Sequence, residues 1–181
     1  MIRSRARQLM CDRSFASKGA HIDESIPVNE RIIRMIDDEI EKTSYIANAR
    51  QNGPGEGERL AKSGLSWYAK SFTYIYFIIC GGTGAVKIGR ADNVKKRMAE
   101  LQVSNPSKLS LLCHFRAPSI FEPTLHTIFS KSRLRGEWFS ITDELLDLAE
   151  IGNDQNYIGV LNYCKDMLER NKPVDGLNGQ E

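Results

Sequence analysis

Apolar and polar positions repeat along this chain at two different periods, and the change of period marks its organisation. From 29 to about 49 the apolar residues fall at Ile32, Ile33, Ile36 and Ile40, with charged residues on the remaining faces. That spacing predicts a helix with one buried stripe, entered through Ser25-Ile26-Pro27. The stripe can pack on a neighbouring domain; a homodimer through the helix near 29–49 is the alternative use. Gln51-Asn52-Gly53-Pro54-Gly55-Glu56-Gly57 then breaks the pattern and reads as a linker. A short piece over 58–70, interrupted by Gly64, carries Leu60, Leu65, Trp67 and Tyr68.

At Thr73 the period shortens to two. Thr73 to Cys80 is rich in β-branched and aromatic residues, which predicts a strand. Gly81-Gly82-Thr83-Gly84 supplies a tight return into a second strand, Ala85 to Gly89, so the two form an antiparallel hairpin. Tyr74, Tyr76 and Ile78 share one face, and Lys87 faces away from Val86 and Ile88. Asp92 or Asn93 can cap a helix reaching about Val103, with a stripe of Val94, Met98 and Leu101. Arg97 falls on that stripe, either snorkelling at its edge or facing a cleft. Leu109, Leu111, Cys113 and Phe115 alternate against Ser110, Leu112 and His114, which predicts a third strand. A helix over 119–131 puts Glu122, Leu125, His126 and Phe129 on one face, with Glu122 and His126 one turn apart. Glu122 also completes a capping box with Ser119, although Pro123 biases it away from helical backbone. His126 fits a hydrogen-bonded core histidine equally well. Gly136 to Ser140 reads as extended, Thr142-Asp143-Glu144 as a helix start, and Asn156 to Glu169 as a last helix ended by Lys172-Pro173.

Composition changes this picture little, and charge changes it more. The chain is 41% hydrophobic and 27% charged, as expected of a folded protein. Its longest apolar run, Tyr74 to Cys80, is far below the roughly 20 residues of a bilayer span. Cys11, Cys80, Cys113 and Cys164 form no C-x-x-C pair, which suits a reduced, cytoplasmic protein without a zinc site. The net charge of +2 is unevenly spread. Residues 72–139 carry ten basic and four acidic side chains, whereas 140–181 carry three basic and nine acidic. A cationic centre suits a phosphate-rich partner. Four segments follow: a basic, disordered arm over 1–22, a helical extension and Gly-rich linker over 23–70, a central domain over 72–150, and a C-terminal helix and tail over 151–181.

Four motifs within 73–140 carry a resemblance: Tyr74-Ile75-Tyr76, then Lys87-Ile88-Gly89 with Arg97 ten residues after Lys87, then Glu122 ahead of Leu125-His126, then Gly136-Glu137-Trp138-Phe139. In this order the segment resembles the GIY-YIG nuclease superfamily, and more closely its phage-associated branch described as a DNA-binding domain. The resemblance implies an α+β fold, a small three-stranded antiparallel sheet flanked by helices, to which this chain adds an N-terminal helix and C-terminal helices. It also implies metal-assisted cleavage of DNA phosphodiesters. Lys87 stands where the superfamily has the tyrosine often assigned to activating water, Leu101 where it has a histidine, and Glu137 near an asparagine position.

The expected site follows. Glu122 is the candidate ligand for one Mg2+ or Mn2+ ion, which can keep several waters and so needs few carboxylates. Arg97 can grip a phosphate with its planar fork. Tyr76 is the first candidate base, helped by the cation of Lys87; His126 is the alternative, because imidazole titrates near neutrality. Tyr74, Arg90, Lys95, Lys96, Arg133 and Arg135 are candidate DNA contacts. Two rivals stand beside the endonuclease: a non-catalytic DNA-binding module that keeps the nuclease fold, and an accessory interaction protein.

Overall fold

Residues 25–51 and 71–171 are described by the structure, a computed structural model. The basic arm, most of the Gly-rich linker, the piece at 58–70 and the C-terminal tail lie outside the described residues. Helix α1 (Val28–Gln51) precedes strands β1 (Phe72–Cys80) and β2 (Val86–Ala91). Helix α2 (Val94–Val103), strand β3 (Leu109–Pro118) and helix α3 (Phe121–Ile128) follow. Strands β4 (Arg133–Arg135) and β5 (Trp138–Phe139) lead into helices α4 (Asp143–Asn153) and α5 (Tyr157–Arg170).

The sheet corrects the expected three strands to five, in the order β3-β1-β2-β5-β4. The hairpin and third strand form its centre, with Tyr76 opposite Gly89 and His114. The two added strands have three and two residues, too few for an alternating pattern to register in sequence. They form because Gly136 turns the chain at φ 57, a left-handed conformation. Val86 then pairs with Phe139 and Lys87 with Trp138.

A second correction concerns β3. Leu109, Leu111, Cys113 and Phe115 do not share one face. Phe77 pairs with Cys113 but Ile78 pairs with Leu111, so Leu112 is an extra residue in the ladder. Such a bulge reverses the alternation. Leu109 therefore joins Tyr76, Ile78, Cys80 and Val94 under α2, with Met98 and Leu101 packed against them. Cys113, Phe115 and Ala117 join the larger core on the opposite face.

That larger core combines Ile75, Phe77, Val86, Ile88 and Phe139 of the sheet with apolar faces of α1, α3, α4 and α5. Ile32, Ile33 and Ile36 of α1 are buried in it, and Asp37 pairs with Lys165 of α5 at 2.7 Å. Because the isoleucine stripe is consumed within the chain, the homodimer expected through 29–49 finds no support. The end of helix α4 and the turn after it cover the β3 edge of the sheet: Asn153 Nδ2 donates to Leu112 O at 3.0 Å, and Gln155 Nε2 donates to His114 O. These amides occupy carbonyls that an open edge strand would offer to another chain. Cys80, Cys113 and Cys164 are free and buried. No helix among the described residues is long and apolar enough to cross a membrane.

Burial of α1 is directly testable. Ile36 is fully buried, so Ile36→Ala is expected to lose about 2–5 kcal/mol in chemical denaturation. A loss below about 0.5 kcal/mol, the range of exposed substitutions, would mean that α1 does not belong to this core.

Candidate functional site

The first half of the site lies on the α2 face of the sheet. Gly89 is opposite Tyr76, and its lack of a side chain lets the Tyr76 ring lie across β2. A Cβ at position 89 would sit 2.5 Å from the Tyr76 hydroxyl and 2.6 Å from Cζ. The ring is therefore buried, 1% exposed, with its hydroxyl beside Arg97. Asn93 starts α2, its Oδ1 accepting from Lys96 N at 2.9 Å. That start brings Arg97 round toward the sheet. The Tyr76 hydroxyl, ahead of Glu100, raises the Arg97 guanidinium further above its already high value, so the cation is permanent. Arg97 keeps 41% of its side chain exposed and reaches Glu100 at 3.4 Å. Tyr74, half-buried, lies against the His114 ring at 5.5 Å.

Lys87 joins this face to the second half. It is 7% exposed, and its ammonium pairs with Glu137 while lying 5.7 Å from the centroid of the Trp138 ring. Burial pushes the Glu137 carboxyl up. The hydrogen bond and charge of Lys87, with the charges of His126 and Arg97, outweigh it and hold the group below the ordinary carboxylate range.

The second half is a hollow of about 410 Å³ lined by Arg90, Ser119, Ile120, Glu122, Pro123, His126 and Glu137. Glu122 stands in the first turn of α3. The residue before that helix is Ile120, without a side-chain cap, and Glu122 pairs with Arg90 at 3.0 Å. Its carboxylate thus serves the hollow and not the capping box. His126 Nε2 meets Ile88 O at 3.0 Å. A carbonyl can only accept, so Nε2 carries the proton and Nδ1 is the nitrogen that can take one. Arg133 is a brace: it donates to Gly136 O and to His126 O, each at 2.9 Å, and lies over the Phe139 ring at 5.1 Å. It ties the end of α3 to the β4–β5 turn. Lys95, Lys96 and Arg135 are exposed.

The structure therefore brings Tyr76, Lys87 and Arg97 to one face, and Arg90, Glu122 and His126 to one hollow. Glu137 links them, a role that sequence reasoning missed. The available signal was a buried lysine on β2 and an acid placed beside it by the return of the chain. Among the described residues no three His, Cys, Asp or Glu side chains gather closely enough to enclose a metal. Glu122 nevertheless already holds a cation inside an open hollow, which fits an ion that keeps most of its waters.

Residues 73–152 match the T5orf172 domain. The match covers less than half of the chain, and it makes that segment similar to the T5orf172 domain. No curated protein and no solved structure matches the chain. The T5orf172 segment runs from β1 almost to the end of α4 and contains every residue of the site.

The Lys87–Glu137 pair predicts an acid-labile element. A depressed carboxyl contributes stability that is present above its unfolded value near 4.5 and is lost as pH falls through the lower folded value. Glu137→Gln is expected to melt below the parent protein at pH 7, with the difference in Tm closing as pH is lowered beneath about 4.5. A gap independent of pH would remove the ionic contribution.

Proposed function

We propose that the hollow binds a DNA phosphate and that the T5orf172 segment is a metal-dependent endonuclease of GIY-YIG type. The observation that carries this reading is the direction of Glu122. Its carboxylate leaves the helix end uncapped and faces Arg90 in a hollow shared with His126 and Glu137. A divalent ion bound there, Mg2+ or Mn2+, would polarise a phosphate oxygen and assist the leaving group.

The chain's own residues would do the rest. Arg97, a permanent cation with a planar fork, takes charge on the non-bridging oxygens. Arg90 can do the same at the rim of the hollow. Water adds to phosphorus, the bond to one sugar oxygen breaks, and the water's proton passes to a base. Tyr76, buried with its hydroxyl beside Arg97, is the first acceptor for that proton. His126 Nδ1 is the second acceptor, since Nε2 is committed to Ile88 O. Lys87, tied to Glu137, keeps positive charge at the junction of the two halves. Lys95, Lys96 and Arg135 would contact flanking phosphates, making affinity salt-dependent.

A second reading has its own observation. Both carboxylates of the hollow are already matched by cations, Glu122 by Arg90 and Glu137 by Lys87. Such a site can bind DNA without turnover.

One assay separates the two. Purified protein is expected to nick supercoiled plasmid in Mg2+ or Mn2+ but not in EDTA. Glu122→Gln should lower the rate by about 10²–10³ and leave DNA binding intact by gel shift. Salt-sensitive binding without cleavage in any metal would favour the second reading; undiminished cleavage by Glu122→Gln would remove the metal-site assignment.

A further inference from the structure

Two ion pairs line or border the hollow, and they differ in a way that matters for ligand binding. Lys87–Glu137 is anchored: the lysine side chain is 8% exposed and belongs to the strand that pairs with β5. Arg90–Glu122 is built the other way round. Its glutamate side chain is 13% exposed, held by the first turn of α3, while its arginine side chain is 52% exposed. Arg90 projects from β2 one residue before the strand ends. The anion is enclosed, and the cation is carried by a long side chain that stands largely at the surface.

We propose that Arg90 is an exchange residue: it neutralises Glu122 before ligands arrive, and is handed to a DNA phosphate when a divalent cation takes the carboxylate. The inference rests on the reading of Glu122 as the metal-holding group. In the described structure Arg90 Nε already lies 3.0 Å from Glu122 Oε2, so a metal ion alone competes with an internal cation for that carboxylate. A phosphate alone gains Arg90 only by leaving Glu122 uncompensated in a partly desolvated place, which costs free energy. When both ligands bind, each charge on the chain finds a new partner of opposite sign, and neither cost is incurred. Metal and DNA must therefore tighten each other's binding, by the same factor in each direction. Arg97 cannot play this part, because its neighbours are Tyr76 and Glu100. Lys87 is disfavoured for it by burial and by the β2–β5 pairing that carries it.

The test uses the full chain and two probes. Mn2+ binding to the protein without DNA is followed by electron paramagnetic resonance, for the parent, Arg90→Ala, Arg90→Lys and Glu122→Gln. Removal of the competing cation should tighten Mn2+ binding to Arg90→Ala by about threefold or more, within the range of partly exposed ion pairs, with Arg90→Lys close to the parent. Glu122→Gln should bind Mn2+ weakly. Affinity for a fluorescein-labelled, phosphorothioate-backbone DNA duplex is then measured by anisotropy at constant ionic strength. Mn2+ should strengthen parent binding by about fivefold or more, the lower end of ordinary coupling, and strengthen Arg90→Ala binding by less than twofold. Because Arg90 is exposed, its replacement leaves the core untouched, and unchanged circular dichroism checks this. If Arg90→Ala binds Mn2+ no more tightly than the parent, or keeps the full effect of Mn2+ on DNA affinity, while Glu122→Gln has lost the ion, the exchange is overturned and the metal site stands. If Glu122→Gln binds Mn2+ as the parent does, the underlying reading of the site falls, and the exchange with it.

Discussion

A single ion pair, between the buried Lys87 and the partly exposed Glu137, holds the two halves of this site together. Strand β5 meets β2 over only two residue pairs, a ladder too short to be secure by itself. The Lys87 ammonium sits over Trp138 and reaches the carboxylate of the preceding residue. Backbone pairing is added by Ile88 N donating to Glu137 O at 3.1 Å. Removing the Glu137 charge would strand the Lys87 ammonium in a place with little water, which is why the pair is costly to break from that side even where it adds little net stability. Its main consequence is positional. It keeps β5 against β2, and β5 with Arg133 sets where α3 ends and the hollow lies.

Around that junction the fold keeps its polar groups directed. The bulge at Leu112 lets one strand serve two cores, with Leu109 under α2 and Cys113 and Phe115 on the other face. Asn153 and Gln155 close the β3 edge. The α2 face presents Tyr76 and Arg97, and the α3 side presents Glu122 and His126. The chain thus places permanent cations and one shielded carboxylate on either side of β2, a pattern suited to an anionic ligand accompanied by a cation.

Much of this was legible in the residues. The hairpin, the stripe of α1 and the start of α2 at Asp92 or Asn93 follow from periodicity and capping chemistry, because long elements repeat their signal. The face shared by Tyr74, Tyr76 and Ile78 follows from alternation. The fourth and fifth strands were not legible, since two or three residues carry no period. The bulge was hidden as well: Leu109 to Phe115 alternates cleanly, and only pairing with β1 shows Leu112 to be an extra residue. For the site, the resemblance singled out Glu122, Arg97 and Lys87 individually. What each touches was beyond reach. The Arg90–Glu122 and Lys87–Glu137 pairs join residues 32 and 50 positions apart, and Arg133 looked like a phosphate contact although it spends its donors on backbone carbonyls.

The central claim is that Lys87 and Glu137 act as one unit. A double-mutant cycle tests it most directly: thermal and urea unfolding at pH 7 of the parent, Lys87→Met, Glu137→Gln and the combined variant. The account predicts strong non-additivity, with the combined variant losing less than the sum of the single losses by about 1 kcal/mol or more, as expected of residues in contact. Losses that add within about 0.3 kcal/mol would mean that the two charges do not depend on each other, and that something else holds β5 in place.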